Sequence, residues 1–138
     1  MANIEEPEDV EKIFTLDEAN CLIPQLEEIC VAIQQGRAVV IRTRDEIKKA
    51  SAKAHLGGGS VAGPQYIQAL QCIHVNLKAL HEIGVLIKDV DIGLCDFPYH
   101  LNGRTVYLCW KLGEEKIHWW HEISGGYTGR QHLPEDAE

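Results

Sequence analysis

The sequence predicts an α+β fold: a long antiparallel helical hairpin with a short N-terminal helix, followed by a three-stranded antiparallel β-meander. Three observations carry this. Apolar residues recur every three or four positions from Leu26 to Ala54 and again from Tyr66 to Ile87. Gly57-Gly58-Gly59 separates the two stretches, and glycine both disfavours helix and permits a sharp reversal. From Leu94 onward the pattern shifts toward period two, around an Asn102-Gly103 hairpin turn.

Residues 1–12 are polar and acidic and read as a flexible arm. Phe14-Thr15-Leu16-Asp17-Glu18 spells a helix start, with Thr15 capping the first turn and Glu18 reaching back to it. Pro24 suits a first turn but not a helix interior, so one helix ends near Leu22 and another begins there. Helices are expected over 15–56, with this break, and over 61–88.

The long helix carries a seam of Leu26, Ile29, Ile33, Gly36, Val40, Thr43, Ile47, Ala50 and Ala54. The next carries Tyr66, Leu70, Ile73, Leu77, Leu80, Gly84 and Ile87. This is coiled-coil spacing. Cys30, Val39, Ile67 and Val85 flank the seams, more apolar surface than a two-helix hairpin can bury on itself. A homodimer through the hairpins, closing a four-helix bundle, is therefore expected.

The meander occupies 94–122, with strands Leu94–Leu101, Arg104–Lys111 and Ile117–Glu122; a glycine-rich loop and tail fill 123–138. The Asn-Gly turn pairs Leu101 with Arg104, and hence Asp96 with Cys109. Pairing Lys111 with Lys116 sets His118 beside Cys109 and His121 beside Val106. One face then holds Phe97, Tyr99, Val106, Leu108, Trp110, Ile117, Trp119 and His121 and packs on the helices. The other holds Asp96, His100, Thr105, Tyr107, Cys109, His118, Trp120 and Glu122.

At 138 residues the chain suits one domain. Its net charge of −8 works against non-specific binding to nucleic acid or anionic membrane. The acidic N-terminus lacks the apolar core of a signal peptide, and no run spans a bilayer, so a cytoplasmic location is expected. The five cysteines are odd in number and form no CxxC pair; they read as reduced core residues.

Several groups could carry chemistry. Asp96, Cys109 and His118 form a cross-strand row of zinc-ligand types, although a polar sheet face with a filler thiol has the same look. His118 and His121 point to opposite faces of a regular strand and do not chelate together. Lys88 to Gly93 opens like a calcium loop and then fails, with Leu94 where the turn glycine is needed. Its aspartates fit ion pairing better than cation binding. Gly125 to Arg130 is glycine-rich without being a phosphate-loop motif. The basic second half of the long helix reads as a solvated face. His74 and His81 lie two turns apart on a helix flank, where a dimer could bring them together.

The segment IGLCDFPYHLNGRTVYLCWKLGEEKIHWWHEISGGYTGR resembles an uncharacterised bacterial family, domain of unknown function 2203, sometimes labelled DivIVA-like; FTLDEANCLIP near the start fits it too. The family pattern includes positions matching Asp89, Asp91, Gly93, Asp96, Phe97, Pro98, Cys109, Trp110, Gly113, Glu114, Trp120, His121, Gly126, Gly129 and Arg130. It more often has a basic residue at position 118, which implies that Asp96 faces a cation on the third strand. The resemblance brings no activity with it, but it raises Asp91, Asp96, Glu114, His121 and Arg130 as functional candidates.

The expected function is a non-enzymatic, dimeric binding or protein-interaction module. Its polar site would lie on the meander and take a protein or small-molecule partner. The alternatives are a divalent-metal protein and a helical scaffold. The metal would be zinc or manganese, with ligands drawn from Asp91, Asp96, Cys109, Glu114, His118 and His121, and a metal-dependent hydrolase is one form of this reading.

Overall fold

The computed structural model describes residues 12–53 and 62–138. The acidic arm, the triple-glycine reversal and Ala54 lie outside the described residues. Helix α1 spans Leu16–Cys21 and opens on the expected capping box. Thr15 Oγ1 accepts the Glu18 N–H at 3.1 Å, and Glu18 Oε1 accepts the Thr15 N–H at 2.9 Å. Phe14, just before the cap, packs edge-on against Phe97 at 5.4 Å, and its N–H donates to the Pro98 carbonyl. The start of α1 is thereby held on the sheet.

Helix α2 spans Ile23–Ala52 with Pro24 in its first turn, and α3 spans Ala62–Ile83. The α2 seam is the expected one: Leu26, Ile29, Ile33, Gly36 and Thr43 are buried. The α3 seam is rotated from expectation. Ala62, Ala69 and Leu80 are buried, whereas Leu70 and Leu77 are 42% and 39% exposed. The cause is close approach: a side chain at Gly36 would begin 2.9 Å from Ile73 Cγ1 and 3.4 Å from the Ala69 carbonyl. The row of α3 that carries Ala69 and Ile73 therefore seats over Gly36, and the leucines turn out.

The expected helix over 61–88 stops at Ile83. Gly84 takes φ +95, its N–H bonds the His81 carbonyl, and the Val85 N–H bonds the Leu80 carbonyl. This is a Schellman stop. The chain beyond it is already strand.

The sheet has five strands where three were expected: β1 Leu86–Asp89, β2 Leu94–Leu101, β3 Arg104–Lys111, β4 Trp119–His121 and β5 Gln131–His132. They form an antiparallel meander in chain order. The β2–β3 register is the expected one throughout. The β3–β4 register is not: Cys109 pairs with Trp119 and Tyr107 with His121. From Leu112 to His118 the chain runs outside the ladder, and the Ile117 N–H bonds Asn20 Oδ1 of α1. A one-residue slip exchanges the two faces of a strand.

The inner face therefore carries Cys95, Phe97, Tyr99, Val106, Leu108, Trp110 and Trp120, packed on Phe14, Ala19, Ile23, Leu26, Cys30, Ile33 and Leu80. Ile117 joins this core from outside the strand. Cys30 and Cys95 meet there as free thiols, Sγ to Sγ 3.8 Å. Cys109 is buried too, whereas Cys21 and Cys72 are exposed, so the expectation of core thiols holds for three of the five. Among the described residues, no helix is long and apolar enough to cross a membrane.

Candidate metal centre

The outer face of the sheet is where the slip has consequences. Asp96 on β2 and Cys109 on β3 are direct cross-strand partners, and both point away from the helical core. His121 on β4, shifted onto the same face, reaches diagonally over the Tyr107 position, and its Nε2 lies 3.0 Å from Asp96 Oδ2. The donor atoms of Asp96, Cys109 and His121 all fall within 4.8 Å of one another. Among the described residues it is the one such cluster of ligand-type side chains. All three side chains are closed to solvent.

The ring of His121 is held from behind. Its Nδ1 lies 2.6 Å from the Glu122 carbonyl oxygen and 3.2 Å from the Gly126 N–H. A carbonyl can only accept, so the shorter contact assigns a proton to Nδ1. A hydrogen bond joins Nε2 to the Asp96 carboxyl. Burial pushes that carboxyl above its ordinary range, and the His121 hydrogen bond and charge with Lys88 offset this only in part. Among the described residues, Asp96 Oδ1 accepts no hydrogen bond of normal geometry. The Cys109 thiol beside it is a weak donor. Burial, with the Asp96 charge adding to it, pushes that thiol up to about 12.

A second group seals the cluster. Arg130 Nη2 donates to Glu114 Oε1 at 2.7 Å and to the Cys109 carbonyl at 3.2 Å. Its guanidinium lies 5.0 Å from the ring centres of both Trp119 and Tyr127. Glu114 Oε1 also accepts the Lys111 N–H at 2.7 Å. Burial works against the Arg130 charge, but the Glu114 hydrogen bond and neighbouring charges outweigh it and hold the guanidinium protonated. The loop from Ser124 to Arg130 thus closes over the cluster at two points, Gly126 and Arg130.

Of the residues singled out from sequence, the structure brings together Asp96, Cys109, His121, Glu114 and Arg130. It leaves out His118, which is exposed and stacks loosely near His132 at 6.1 Å. It also leaves out Asp91, which pairs with Arg37 of α2 in the β1–β2 turn, while Asp89 Oδ1 accepts the Asp91 N–H at 2.9 Å. In that turn an aspartate side chain closes on the backbone two residues on. Trp119 was expected on the face toward the helices and is the member of this group not foreseen, whereas Gly126 and Tyr127 belong to the glycine-rich loop already singled out. The sequence signal for Trp119 is its proximity to His121.

Fold and site together define an α+β protein in which a helical hairpin braces an antiparallel sheet that buries an Asp-Cys-His cluster on its far side. The chain belongs to the family described as uncharacterized conserved protein (DUF2203), whose profile matches residues 12–133. No curated protein and no solved structure matches it.

Proposed function

We propose that the protein binds one divalent transition metal, zinc by ligand preference, through Asp96, Cys109 and His121. The observation that carries this is the convergence of a carboxylate, a thiol and an imidazole, all buried, with donor atoms within 4.8 Å. A buried carboxylate oxygen without a strong donor is costly to fold around unless something positive meets it. Oxygen, sulfur and nitrogen donors together suit zinc, and the thiol argues against manganese, which prefers oxygen ligands. The contact from His121 Nδ1 to the Glu122 carbonyl is the support that metal-bound histidines ordinarily have.

The metal would draw together β2, β3 and β4, beneath the loop that closes over them. With its donors shut from solvent, this site fits a structural or sensing metal better than a hydrolytic one. Asp96 and His121 are too deeply placed to touch a partner. A contact surface on this face would use its exposed groups, Tyr127 on the loop and His100 on β2 among them.

Elemental analysis of untagged protein, purified without chelator, tests the reading. About one zinc per chain is expected, with a thiolate charge-transfer band on cobalt substitution and loss of both in Cys109→Ala and His121→Ala. Protein with no stoichiometric metal and no thermal shift on adding zinc overturns it.

A further inference from the structure

We propose that two copies of the chain pair antiparallel along one flank of α3, with the two-fold axis passing His74. The inward seam of α3 is occupied by α2. Beside it runs a second stripe, Ile67, Leu70, His74, Leu77 and His81, at spacings of three, four, three and four. Its apolar members are large and open: Ile67 is 57% exposed, Leu70 42% and Leu77 39%. That spacing is the pattern by which one helix seats in the grooves of another.

Two features choose a second copy of this chain as the occupant. The stripe is self-complementary when reversed. With the axis at His74, Ile67 meets His81 and Leu70 lies beside Leu77, as an isologous interface requires. Charge selects the same direction. The far half of α2 is exposed and net basic, with Arg42, Arg44, Lys48 and Lys49 outnumbering Asp45 and Glu46, whereas the end near the sheet carries exposed Glu27 and Glu28 and, on α3, Glu82 against Lys78. Antiparallel copies set each basic end against the other's acidic end. Parallel copies set like against like.

The full chain in sedimentation equilibrium tests this. A mass twice the 15.5 kDa of one chain is expected. Leu70→Glu combined with Leu77→Glu is expected to give a monomer with unchanged circular dichroism, because both leucines are open in the single chain. Orientation is read by cross-linking in a Cys21→Ser, Cys72→Ser background. Ile67→Cys mixed with His81→Cys should cross-link, and neither should do so alone. A wild-type monomer at every concentration, a dimer that survives the double substitution, or cross-links only within each single variant would each overturn the proposal.

Discussion

His121 Nε2 lies 3.0 Å from Asp96 Oδ2, and both side chains are closed to solvent. Because burial raises the Asp96 carboxyl above its ordinary 3.8, the folded chain keeps a proton that the unfolded chain has already released. That contribution to stability is whole below the unfolded value and is lost as pH rises through the folded one. In chelator, wild-type protein should therefore lose stability relative to Asp96→Asn as pH climbs from the acid side toward neutrality. With zinc present the wild-type trend should reverse, since binding needs carboxylate and thiolate and releases their protons. Urea melts of both proteins at a series of pH values, with and without zinc, check this. Parallel slopes without metal would remove Asp96 as the source.

Gly126 sits at φ +73, ψ −167, a conformation essentially confined to glycine, and its N–H lies 3.2 Å from His121 Nδ1. A side chain added there would meet nothing within 4 Å, so its cost is purely a backbone cost. Gly126→Ala should destabilise by about 1–3 kcal/mol. It should also weaken zinc binding, because the turn positions the ligand histidine. Gly129→Ala, three residues on, has open space and no positive φ. It should stay within about 0.5 kcal/mol of wild type. Equal losses in the two variants would show that the loop has no such conformational demand.

Arg130 bridges Glu114 and the Cys109 carbonyl between two aromatic rings, with its side chain only 11% exposed. Removing it strips Glu114 of its charged partner and uncovers the edge of the cluster. Arg130→Ala should cost about 2–3 kcal/mol, in the range of hydrogen bonds to charged groups. Arg130→Lys should recover only part of this, since a lysine lacks the planar guanidinium that stacks on the Trp119 and Tyr127 rings. Denaturant midpoints of the three proteins decide it. Full recovery by lysine would reduce the role of Arg130 to charge alone.

The parts of this architecture legible in sequence are those set by local backbone chemistry. Asn102-Gly103 dictates a tight reversal, and every β2–β3 pair follows from it. Thr15 and Glu18 dictate a helix start. The β4 register was hidden for a physical reason: Trp119 and Trp120 are adjacent, so a strand read in either phase puts one tryptophan in the core. The Ile117–Trp120 spacing of three was the sign of an irregular entry into β4, because a straight strand cannot bury both. His118 and His121 exchanged roles through that one residue. Gly84 continued a helical period and so concealed its part as a stop, although the Leu80 and Val85 that close around it were visible. The rotation of α3 depended on a glycine in another helix, which no single-helix pattern reports.

That glycine supports a last prediction. At Gly36 two effects oppose each other. Alanine favours helix by up to about 1 kcal/mol over glycine. Its Cβ, however, would lie 2.9 Å from Ile73 Cγ1, an atom next to the branch point of a stiff side chain, and 3.4 Å from the Ala69 carbonyl. Neither neighbour can swing aside, so α3 must move as a body, and such overpacking costs roughly 1–3 kcal/mol. The clash wins: Gly36→Ala should destabilise by about 1 kcal/mol net. Gly63→Ala, in the first turn of α3 with nothing within 4 Å of its Cβ, should go the other way and stabilise by roughly 0.5 kcal/mol. Thermal and urea melts of the two variants measure opposite signs if α2 and α3 cross at Gly36 as tightly as the geometry has it, and the same stabilising sign if they do not.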